Sequence, residues 1–223
     1  MIRLLDRTRR RHAALTIVAF CAASVSGVAI LLHAAGWLPM YFLVDSLALP
    51  SLVLLLALGV IARRIVEPLF FARLVTGAWA SLAATAAYDV VRLVLWKGGV
   101  FHFDPFMTHP IFGRLITGLP ETTATAIAVG WAYHVWNGFG FGVMYTLVAG
   151  ASRWWYALVW SAFLEVAWLT ALPSTLHFKL KPEFVALSVI GHGAYGITLG
   201  MLSQRRLWDG ENGPNAAPAP GGD

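Results

Sequence analysis

The chain is divided into apolar runs of about twenty residues, each nearly free of charge, and no other feature limits its fold so severely. A helical run of that length, rising about 1.5 Å per residue, crosses the roughly 30 Å hydrocarbon layer of a bilayer. Six such runs are legible, at 13–32, 41–62, 73–96, 120–150, 154–172 and from Pro182 to about Arg206. With 58% hydrophobic and 12% charged residues in 223, there is far more apolar surface than one soluble core can bury. The expected fold is an all-α polytopic membrane protein, a six-transmembrane-helix bundle, with the lipid bilayer as its first partner.

Charge gives the orientation. Residues 1–12 form a basic cytoplasmic N-terminus carrying Arg3, Arg7, Arg9, Arg10 and Arg11. The run that follows is too long for a typical signal-peptide core, and Phe20 before Cys21 spoils a lipoprotein-type cleavage site, so it reads as a retained first span. Assigning loops alternately to the two sides puts eleven Lys and Arg inside and four outside, which implies six spans with both termini cytoplasmic. The net charge of +5 is therefore orientation and does not point to nucleic acid. The membrane domain is expected to run over 13–206, followed by a disordered cytoplasmic tail at 207–223. The setting implied is a plasma membrane or bacterial inner membrane. Cys21 is the single cysteine, so neither an internal disulfide nor a thiolate metal site is available.

Several elements have local signals. Pro50 should kink the second span, Pro120-Glu121 should open the fourth, and Pro173 should end the fifth. The connection 97–119 is rich in aromatic residues, Gly and Pro, and too apolar for a free loop. It should lie on the outer surface or fold back as a lid.

Within the fourth span, Gly130, His134, Asn137, Gly138, Gly142 and Tyr145 share one helical face, a glycine groove with polar groups set into it. The pattern Gly130-x3-His134-x3-Gly138-x3-Gly142 recurs as Ser188-x3-His192-x3-Gly196-x3-Gly200, with the histidines 58 residues apart. Asp89 and Glu165 lie on the spans preceding each histidine span, which suggests an internal repeat of helices three and four in helices five and six.

His134, Glu165 and His192 fall near mid-span, with Asp89 about one turn further out. Ionisable groups at that depth cost on the order of 2.5–3.5 kcal/mol on insertion scales, so partners and functional roles are expected. The leading expectation is a transition-metal site for Zn or Fe with His134, His192 and Glu165 as ligands, supporting redox or hydrolytic chemistry. Glu165 and Asp89 would be its acid–base groups, and Asn137, Tyr145 and Trp136 its ligand contacts. Haem held between His134 and His192 is a variant that leaves Glu165 without a task. A proton or divalent-cation path through the same residues is a second class of reading. A third is a non-catalytic subunit of a homo-oligomer or membrane complex, in which the histidines only fix helix contacts. Asp89 and Arg92, three apart, should form an ion pair. His102 and His109 read as ordinary loop residues or as metal donors at the outer entrance. A membrane-soluble or small substrate is implied, gated by 97–119. Phosphate-binding glycine loops, a G-x-S-x-G elbow and an in-span lysine are absent from the sequence.

Overall fold

A computed structural model describes residues 2–64, 68–176 and 179–212. Among these the chain is all-helical, with seven helices and no strands: α1 (Ile2–Ala34), α2 (Met40–Arg64), α3 (Pro68–Lys97), α4 (Thr108–Thr117), α5 (Ala124–Ala149), α6 (Trp155–Leu176) and α7 (Pro182–Asn212). Four segments are long and apolar enough to cross a membrane: Arg10–Ala34, Met40–Arg64, Pro68–Lys97 and Pro182–Trp208. Residues such as Leu56, Val94 and Val166 point outward from the bundle, and Val166 is 65% exposed. An outward-facing aliphatic surface over small, tightly fitted interior residues is the arrangement a bilayer stabilises.

Several boundaries differ from the sequence reading, each for a local reason. The kink expected at Pro50 takes the form of a π turn at Val44–Ala48, closed by Leu49 N–H on Val44 O. The wider turn accommodates the proline, which offers no N–H to the helix. Pro120-Glu121 does not open α5. Thr123 caps it, its hydroxyl oxygen accepting from Ala126 N–H at 3.2 Å, while Glu121 pairs with Arg114 at 3.1 Å. Pro173 does not end α6 but lies inside it. At the C-terminus α7 continues to Asn212, so 207–212 are helical, while residues 213–223 of the expected tail lie outside the described residues.

The glycines set the helix spacing. A methyl group at Gly138 would overlap Thr85, and one at Gly142 would overlap Ser81, so α5 seats α3 directly against its backbone. One turn further on the roles reverse, and Gly77 of α3 receives Thr146 of α5. The second groove does the same for α6, where Gly196 meets Ala157 and Ser161, and Gly200 meets Trp154. Close backbone approach of this kind supplies van der Waals packing where no hydrophobic drive between helices exists. The stretch after α3 folds back over the bundle. Gly113 of α4 lies against the Ala126 carbonyl, and Gly130 of α5 against that of His109. Arg92 donates to Pro105 O, and His102 N–H donates to Glu183 at 2.6 Å.

Because Gly142 faces Ser81 Cβ with no room for a side chain, Gly142→Val should force α3 and α5 apart. A destabilisation of about 1–3 kcal/mol, the usual scale of overpacking, is expected as a lowered Tm in detergent. Gly193→Ala, at a helical position with nothing within 4 Å of an added methyl, should show no overpacking loss of this kind.

Candidate functional site

The two glycine grooves position two histidine–carboxylate pairs. Along the antiparallel contact of α3 and α5, Gly142 faces Ser81 and Gly138 faces Thr85. The next step of four residues on each helix brings His134 to Asp89, and the imidazole Nε2 lies 3.1 Å from both carboxylate oxygens. Along α6 and α7, Gly196 faces Ser161, and the next step brings His192 Nδ1 to 2.7 Å from Glu165 Oε2. Asp89 is thus level with His134, not a turn further out.

Each pair has its own supports. Arg92 Nη1 lies 3.7 Å from Asp89, and the ion pair expected along α3 is present. Ser188 Oγ donates to Glu165 Oε2 at 2.9 Å, and Ser161 donates to the His192 carbonyl. An ionised carboxylate can only accept, so it fixes the proton on the nitrogen that faces it. That leaves Nδ1 of His134 and Nε2 of His192 as the basic nitrogens.

Tyr88 stands between the pairs. Its ring centroid is 5.8 Å from that of His134 and 5.1 Å from that of His192, and the Arg92 guanidinium carbon lies 4.5 Å from its centre. Both histidines, Tyr88, Arg92 and Asn137 line a cavity of about 320 Å3. The opposite wall is apolar, from Val28 and Leu31 of α1 and Phe163 and Trp168 of α6.

The metal-ligand set expected from sequence is not brought together. His134 faces Asp89 on α3 while His192 faces Glu165 on α6, and among the described residues no three His, Cys, Asp or Glu side chains are grouped to hold a metal. Of the three expected ligand contacts only Asn137 lines the cavity. Tyr145, eleven residues along α5, bonds Ser152 at 2.8 Å at the far end of the helix. Trp136 turns away into an apolar cluster with Phe112 and Tyr133. Shared periodicity placed these residues on one helix, but the direction of each side chain depends on which neighbour fills the adjacent face.

His109, which reads from sequence as an ordinary loop residue or a metal donor at the outer entrance, lies instead beside His134 on the cavity wall. It is buried in α4, with its ring centroid 4.3 Å from that of Trp131 and 4.4 Å from that of His134. Burial, with the neighbouring His134 and Arg92 adding to it, pushes its pKa down to about 2. The aromatic run around it was the available signal. His102, in contrast, is exposed and pairs with Glu183. Comparison with protein-family models, curated proteins and solved structures finds no match, so the site is read on its own chemistry.

The depressed pKa of His109 has a definite pH consequence. A neutral imidazole that would titrate near 6.5 when released favours the closed α4 fully above that pH. Closure should weaken as pH falls below about 6.5, by up to about 1.4 kcal/mol per unit. Hydrogen exchange, corrected for intrinsic rates, should show Thr108–Thr117 less protected at pH 5 than at pH 7.5. His109→Phe, which keeps the ring and removes the titration, should flatten that difference.

Proposed function

We propose that this is a six-span membrane protein that binds a membrane-soluble molecule and exchanges protons with it through His134–Asp89 and His192–Glu165. The observation that carries the proposal is the cavity itself, in which both carboxylate-held histidines stand on one wall and aliphatic and aromatic side chains form the other. A molecule with an apolar body and a polar end matches that division. A carboxylate that fixes one ring nitrogen leaves the other as a general base, the arrangement used wherever histidine moves protons.

Six spans are supported by α5 and α6. At 26 and 22 residues both are long enough to cross, and the polar face of α5 is turned onto α3 and α4, away from lipid. An internal repeat is supported by register. Asp89, Thr85 and Ser81 stand toward His134, Gly138 and Gly142 as Glu165, Ser161 and Ala157 stand toward the helix of His192, Gly196 and Gly200. A plasma or bacterial inner membrane accords with the apolar spans and the inward bias of Arg and Lys.

The test uses protein extracted in mild detergent, with solvent extraction and mass spectrometry of whatever it carries. Wild type should hold a near-stoichiometric apolar molecule. Ala167→Phe, filling the cavity from α6, should lower its occupancy about tenfold, a change of roughly 1.4 kcal/mol. Identical recovery of bulk membrane lipid alone from both proteins would defeat the reading.

A further inference from the structure

We infer that the bound molecule is a long-chain lipid, held with its polar end on the histidine wall and its hydrocarbon chain passing out between α1 and α6 into the bilayer. This rests on the six-span, ligand-binding reading above and narrows it to a substrate class. The cavity is closed on most sides. Thr108, His109 and Phe112 cover it from α4, and all three are buried. Among the described residues that line it, none on α3, α4, α5 or α7 is exposed. Exposed lining residues occur on α1 and α6 alone: Val28 at 42%, Leu31 at 47% and Phe163 at 60%.

These side chains bound a lateral mouth. Toward the N-terminal end of α1 the gap is shut, because Phe141 of α5 packs against Gly27 of α1 and its carbonyl accepts from Trp160 Nε1 of α6 at 3.1 Å. Toward the C-terminal end of α1, Ile30 joins Trp168 and Ala171 of α6 in one apolar cluster. Between the two closures stand Val28 and Leu31 on one side, and Phe163 and Ala167 on the other. None of them can hydrogen-bond through its side chain. Phe163 also continues the outward stripe of Val159 and Val166 on α6, so the cavity lining runs without a break into the outer apolar surface.

In a membrane-spanning bundle such a mouth opens onto hydrocarbon. Water finds nothing to bond there, whereas a lipid chain only exchanges one apolar surrounding for another. Methylenes that remain outside the mouth lie in the bilayer both before and after binding, so they neither add to affinity nor subtract from it. The site is therefore indifferent to chain length, which a closed cavity of about 320 Å3 would not be. A compact guest would leave the mouth unfilled, and the side chains around it would forfeit their contacts. The direction of the molecule follows from the two walls. Tyr88, His134 and His192 stand across the cavity from Phe163, which puts the polar end inward and the chain outward.

The experiment identifies by mass spectrometry what the full chain carries when extracted in mild detergent, in wild type and in variants of the mouth. Leu31→Trp combined with Phe163→Trp sets two indoles across the opening and leaves the polar wall intact. Leu56→Trp, at an exposed position of α2 outside the cavity lining, is the control. Wild type and the control should carry a molecule with a hydrocarbon chain of dodecyl length or more. The mouth variant should lower its occupancy about tenfold, roughly 1.4 kcal/mol, while remaining monodisperse on size exclusion. If that variant does not fold, Val28→Trp makes the same comparison. A carried molecule with no chain of that length, or a long-chain molecule held equally by wild type and mouth variant, would overturn the assignment and leave the membrane-soluble-ligand reading standing. A wild type that carries nothing, or only bulk phospholipid in the same amount as every variant, would overturn both.

Discussion

Two carboxylates held inside an apolar helical bundle are the constraint on which the rest of this molecule depends. In a low-dielectric interior an isolated Asp or Glu does not stay charged without a partner close at hand. The chain supplies one histidine to each, at 3.1 Å for Asp89 and 2.7 Å for Glu165. Delivering two rings to two carboxylates from four different helices demands that the helices stand close and in fixed register. The small residues meet that demand, and this is why Ser81, Thr85, Gly138 and Gly142 on one side, and Ser161 and Gly196 on the other, lead up to the ionisable pairs in steps of one turn. Packing and electrostatics are one device here.

The same device explains what the sequence made legible. Periodicity of four along Gly130 to Gly142 and along Ser188 to Gly200 identifies helix contact faces, and both faces are contact faces in the structure. The histidines within them stand on those contact faces. Their partners were not legible in the same way, because position along a helix does not fix the register between helices. Asp89 looked a turn too far out until the contact of Gly138 with Thr85 set α3 against α5. Proline was legible as a disturbance and not as a boundary. Pro50 follows a π turn and Pro173 lies within α6. A missing N–H interrupts one hydrogen bond, and an apolar helix held by its neighbours tolerates that loss.

His109 shows where local reading stops. The aromatic run around it signals a covered segment but does not identify the imidazole on which it stacks. Its position comes from Gly113 and Gly130, which let α4 lie against the α5 backbone and carry His109 in beside His134. The sequence did indicate that 97–119 was too apolar to hang in water, and the covering position of α4 follows from that. The particular side chain delivered by the cover depends on a contact between residues far apart in the chain.

The two histidine–carboxylate pairs differ in the residues that surround them. When Asp89 is set on Glu165 and His134 on His192, Tyr88 falls on Leu164, Arg92 on Trp168 and Asn137 on Tyr195. The first pair thus acquires a guanidinium, and the second has an indole in its place. Tyr195 spends its hydroxyl on the Gly138 carbonyl at 2.7 Å, whereas Asn137, at the matching position, retains a free acceptor. Among the described residues Asp89 has an arginine beside it, whereas Glu165 is held by His192 and Ser188 alone. Tyr88, lying against both histidines, stands between the two pairs. Two histidine–carboxylate pairs beside one cavity, one with an arginine partner and the other without, therefore set two chemically different groups on the same wall.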